Sequence, residues 1–81
     1  MTKDLLIDYI SQGREIEFKY KDKMYSITYG IVDGKEVISF CEFYQDTTEV
    51  TTVDELLTVS RYGITVLEMW SSLTENDIWV Y

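Results

Sequence analysis

Eighty-one residues, 46% of them hydrophobic and 15% aromatic, suffice for one core but not two, because a chain near this length buries only roughly 60–65% of its unfolded surface. The same composition excludes disorder. A formal charge of -8 repels phosphate backbones and anionic lipid, which argues against direct nucleic-acid or membrane contact.

The charge is uneven along the chain. Residues 1–35 are neutral, with six acids and six bases. The remainder holds nine acids against Arg61 alone. No apolar run approaches the roughly 20 residues of a membrane span. The first residues carry acids among apolar positions, unlike a signal peptide. Cys41 is the single cysteine and has no disulfide partner. A reducing, cytoplasmic setting is therefore expected.

In chain order, Thr2 caps a helix over about residues 3–11, where Leu6 and Ile10 lie one turn apart with Leu5 and Tyr9 beside them. Gly13 is its natural stop. Strict alternation follows, with Ile16, Phe18 and Tyr20 set between Glu15, Glu17 and Lys19. That is the pattern of a half-buried strand. A short turn at Lys21-Asp22 leads to a second strand over 24–32. Asp33-Gly34 is a strong two-residue hairpin signal, since both residues tolerate positive φ. A third strand covers about 35–43.

These turns fix a register. A two-residue loop at Asp33-Gly34 pairs Val32 with Lys35, Tyr29 with Ile38 and Ile27 with Phe40. A two-residue loop at Lys21-Asp22 pairs Phe18 with Tyr25 and Ile16 with Ile27. Paired residues share a face. Ile16, Phe18, Tyr25, Ile27, Tyr29, Ile38 and Phe40 then lie on one side, and Glu15, Glu17, Lys19, Ser26, Thr28, Ser39 and Cys41 on the other. A slip of one residue destroys this agreement.

Residues 45–51 are polar and Thr-rich and read as a loop. Thr52 with Glu55 forms a capping box that opens a helix to about Ser60 or Arg61, ended by Gly63. Thr65 with Glu68 opens another to about Leu73, with Val66, Leu67 and Trp70 on one face. Glu-Asn-Asp breaks it, and residues 78–81 form a short strand. The expected fold is α+β: a three-stranded antiparallel β-meander with helices packed on one face, in the order αβββααβ, all of residues 1–81 forming one domain. The C-terminal strand adds to an edge of the sheet, on a side the sequence leaves open.

Catalytic chemistry finds little material here. Histidine is absent, which removes the commonest general base and transition-metal ligand. Cys41 has no partner to lower its pKa and reads as an ordinary strand cysteine. The carboxylates show no metal-loop spacing, and Asp54 and Glu55 suit the first turn of a helix. No enzyme activity, cofactor or metal is expected. Lys19, Lys21 and Lys23 cluster at the first hairpin, as a small phosphate or acidic-partner contact or as charges that keep an edge from pairing.

The sequence favours a small acidic interaction protein that binds a basic protein partner, in the manner of an inhibitor, an immunity protein or a nucleic-acid mimic. Size and composition are in keeping with small bacterial or phage proteins. Candidate partner-binding residues are Glu42, Asp46, Glu49, Asp54, Glu55, Glu75 and Asp77, with Trp79 and Tyr81 as aromatic anchors. A mimic needs these carboxylates in rows on one surface. The alternatives are a homodimeric structural or regulatory module and, further off, a small ligand-binding domain.

Overall fold

The computed structural model describes residues 1–81. Helix α1 (Lys3–Ser11) starts where the Thr2 side chain accepts from the Leu5 amide. It turns out of helical geometry at Gly13, whose φ of 69° suits a residue without Cβ. Strands β1 (Ile16–Tyr20), β2 (Lys23–Val32) and β3 (Lys35–Glu42) follow as an antiparallel meander. Each expected pair is present, including Phe18 with Tyr25, Ile16 with Ile27, Ile27 with Phe40 and Tyr29 with Ile38.

Both turns have two residues at positive φ: Asp33 and Gly34 at 51° and 78°, Lys21 and Asp22 at 48° and 63°. Lys-Asp is an unfavourable pair for this geometry. The register nevertheless holds, because the aromatic and aliphatic positions of β1 and β2 must share a face to be buried.

The sheet has five strands rather than three. Thr47–Val50 forms β4 on the far side of β3, so the polar loop expected over 45–51 is corrected to an edge strand. The β-branched residues Thr47, Thr48 and Val50 suit an extended edge, and only Val50 enters the core. The C-terminal strand β7 (Ile78–Val80) pairs antiparallel with β1, aligning Glu17 with Trp79. The order across the sheet is β4-β3-β2-β1-β7.

Helix α2 (Val53–Thr58) is shorter than expected. Val59 is extended, and residues 60–65 form a small hairpin of β5 (Ser60–Arg61) and β6 (Ile64–Thr65). Gly63 therefore serves that hairpin's turn with Tyr62 rather than a helix end. The expected helix after Thr65 is α3 (Val66–Ser72), and its capping box with Glu68 is complete. A short 3-10 turn (Glu75–Asp77) leads into β7. No helix is long and apolar enough to cross a membrane.

The α+β fold thus comprises three α-helices and a five-stranded antiparallel sheet. The helices bury Leu6, Ile10, Leu56, Leu57, Val66, Met69 and Trp70 in one cluster with Ile16, Phe18, Tyr25, Ile27, Ile38 and Phe40. Aromatic rings form its centre. Tyr25 and Phe40 stack at 5.6 Å, Phe18 and Tyr25 at 5.3 Å, and Trp70 meets Phe18 edge-on at 6.2 Å. The Trp70 indole N–H donates to the Thr2 carbonyl at 2.7 Å, tying the start of α1 to α3. No polar residue is buried.

On the other face, Glu17, Ser26, Thr28, Ser39 and Cys41 are half-buried. Val37 is the exception. It lies on this face across from Gly30 and is buried outside the main cluster.

Phe18→Ala removes the ring at the centre of this stack and is expected to cost about 3–5 kcal/mol. Thr28→Ala, on the opposite face of the same sheet, is expected to stay within about 0.5 kcal/mol. Urea unfolding followed by tryptophan fluorescence measures both. Equal losses at the two positions contradict the assignment of faces.

Candidate functional site

The sheet order separates the acidic residues that the sequence groups together. Glu42, Asp46, Glu49, Asp54 and Glu55 lie on or next to β3, β4 and α2, on one flank. Glu75 and Asp77 precede β7 on the other. Four strand spacings, roughly 19 Å, lie between the two edges. The rows of carboxylates on one surface that a nucleic-acid mimic needs do not form.

Several of these carboxylates already have internal partners. Glu55 Oε1 accepts from the Thr51 and Thr52 hydroxyls at 2.8 and 3.2 Å. Those bonds hold its carboxyl below its ordinary pKa. Asp77 accepts from the Thr74 amide at 2.9 Å and from its hydroxyl at 3.1 Å. Glu42 accepts from the Tyr62 hydroxyl at 2.6 Å. Glu42 and Asp46 share a shallow depression with Arg61 and Tyr62. Glu49 stands exposed opposite Ser39, and Asp54 is exposed in the first turn of α2. No three His, Cys, Asp or Glu side chains converge as a metal site would require.

Trp79 and Tyr81 form the more organised constellation. Trp79 is directly across from Glu17, so both project from the face opposite the helices. Tyr81 reaches the same carboxylate, its hydroxyl donating to Glu17 Oε1 at 2.9 Å. Its backbone is held by its amide, which donates to the Glu15 carbonyl at 2.9 Å, and by Arg14 Nε, which donates to the Tyr81 main-chain oxygen at 3.2 Å. The rings remain 43% and 64% exposed. A carboxylate is thereby held beside two exposed aromatic side chains of the adjoining segment. An anion beside aromatic rings is the environment that lysine and arginine side chains seek, by charge and by cation–π attraction.

Glu17 is absent from the residues singled out above. Alternation assigns it to the polar face, but its pairing with Trp79 depends on which edge the last strand joins. Ser26 and Cys41 extend the same row, 3.2 Å apart. Compared with models of known protein families, with curated proteins and with solved structures, the chain matches none.

The bond to Glu17 lifts the Tyr81 phenol above its ordinary pKa, with partial desolvation and the Glu17 charge adding to the effect. A folded-state pKa raised in this way stabilises the protein below the unfolded value, and that contribution is lost as pH rises through the folded one. Glu17→Gln removes the charge and is expected to return Tyr81 towards 10.0. Titration of its ring carbon by NMR, with labelled tyrosine, reads the shift. An unchanged titration in the variant shows that the bond does not persist in solution.

Proposed function

We propose that this protein is a non-enzymatic interaction module that binds a basic protein partner, with Glu17, beside Trp79 and Tyr81, as the point that receives a lysine or arginine side chain. The observation that carries this reading is the single carboxylate held by the Tyr81 hydroxyl and standing across from the exposed Trp79. The cation's charge meets Glu17, while its aliphatic stem lies on the rings. Glu15, exposed just before β1, adds negative potential at this edge, offset in part by the Arg14 guanidinium on the Tyr81 main-chain oxygen. The overall charge of -8 favours approach of a basic surface.

An antagonist of inhibitor or immunity type fits this physics, since covering a basic functional surface requires no chemistry of its own. Mimicry of nucleic acid is not proposed, because the carboxylates divide between two flanks. Self-association through a sheet edge is disfavoured by the length of the free edges, four residues in β4 and three in β7.

A lysine-rich and an arginine-rich peptide of equal length serve as probes, with a glutamate-rich peptide as control. Basic peptides are expected to change the fluorescence of Trp79 saturably and to bind more weakly as salt rises. Trp79→Ala and Glu17→Gln are each expected to weaken binding about tenfold, with the circular dichroism spectrum unchanged. Binding that survives both substitutions, or no binding at low salt, overturns the proposal.

A further inference from the structure

The opposite sign of charge gathers at one place in this acidic molecule. The β1–β2 turn and the β5–β6 turn converge around a cavity of about 150 Å³. Lys21, Lys23 and Arg61 reach its walls, and three tyrosines line it. The Lys23 ammonium lies 4.7 Å from the centre of the Tyr62 ring, and that of Lys21 lies 5.5 Å from the centre of Tyr20. The Arg61 guanidinium lies 5.3 Å from the centre of the Phe40 ring. None of the three cations has a carboxylate partner, for the only ion pair in the chain joins Lys19 to Asp22.

Tyr25 supplies an independent indication. Only 1% of its surface is exposed, yet its hydroxyl makes no hydrogen bond within the protein, and burial leads the causes that raise its pKa. A buried phenol normally finds a partner. No side-chain oxygen or nitrogen is both sealed from solvent and unpaired. The hydroxyl is therefore accessible, and Tyr25 lines the cavity, so the hydroxyl is available there as a donor.

Arg61 stands at the wall with its guanidinium over Phe40, which is outside the lining. Two of its N–H groups donate, to the Ser60 carbonyl at 2.9 Å and the Thr48 hydroxyl at 2.7 Å. The guanidinium carries five donors in all. Glu42 is the carboxylate that bears on Tyr25, and it is engaged by the Tyr62 hydroxyl and lies outside the cavity. The floor is apolar, with Ile64 and Met69 beside the tyrosine rings.

We infer that this cavity binds a small organic anion: an oxyanion head, carboxylate or phosphate ester, on a flat apolar body. The head accepts from the Tyr25 hydroxyl and faces Lys23 and Arg61. The body lies between the Tyr20 and Tyr62 rings, over Met69. This site is separate from the Glu17 edge and does not depend on the partner reading.

Benzoate, phenyl phosphate and the neutral benzyl alcohol are titrated against the full chain labelled with nitrogen-15. One or both anions are expected to shift the amide signals of Tyr20, Tyr62 and Met69 saturably, and the tighter of the two identifies the head group. Benzyl alcohol is expected to bind about tenfold more weakly. Tyr25→Phe keeps the ring stack and is expected to weaken the anion about threefold or more. Lys23→Gln, at an exposed position, is expected to do likewise. The inference is overturned by equal affinity for the alcohol, by the absence of saturable shifts, or by affinities unchanged in both variants.

Discussion

Three rings from three adjacent strands lie against one another beneath the sheet, and the rest of the molecule is arranged around that contact. Phe18, Tyr25 and Phe40 lie within 6.3 Å of one another, centre to centre, and are almost wholly buried. They meet only if β1, β2 and β3 are in one register. Moving any strand by a residue sends its ring to the opposite face. The stack therefore selects the turns as much as the turns select the stack. This accounts for the survival of a two-residue turn built from Lys21 and Asp22. Positive φ at two residues with side chains costs on the order of 1 kcal/mol each. Burying an aromatic side chain returns more than that.

The same stack joins the helices to the sheet. Trp70 meets Phe18 edge-on, and its indole N–H reaches back to the Thr2 carbonyl. One side chain thus links α3, the beginning of α1 and the central strands. Capping fixes where the helices begin. Thr2, Thr52 and Thr65 each accept from a backbone amide three residues on, so three threonines place three helices over a face already defined by alternation.

The meander, its register, the helix starts and the buried face were legible in the sequence because each rests on local or period-two signals. The two outer strands and the β5–β6 hairpin were less so. β4 contributes only Val50 to the core, and its Thr-rich sequence has the composition of a loop. It is a strand because β3 offers it a ladder of backbone groups, and a neighbour of that kind leaves no mark in the strand's own residues. The terminal strand was visible, but the edge it joins was not. That choice decides whether Glu17 or a residue of β4 faces Trp79. In the same way Arg61, the lone base of its half, was visible as a charge. Its closeness to Lys21 and Lys23 arises only when the Tyr62-Gly63 turn folds against the first hairpin. Site residues held by one strand's pattern could be read, whereas those assembled from distant turns could not.

Screening limits what the net charge can do at the β7 edge. At physiological salt, charges more than about 8 Å apart at an exposed surface are largely hidden from each other. The β4 flank lies roughly 19 Å away across the sheet. Glu49 and Asp54 would therefore contribute little to a cation received beside Glu17 on the proposed reading, though they add to the field that guides approach at low salt. Asp77, nearer, caps the 3-10 turn through the Thr74 amide and hydroxyl. Affinity and selectivity for a cation at this edge would have to come from groups in direct reach, and the carboxylate that stands beside two exposed aromatic side chains is Glu17. On the proposed reading, a strongly acidic composition favours approach to basic surfaces in general, while the choice among them falls to Glu17, Trp79 and Tyr81, placed by the pairing of β1 with β7.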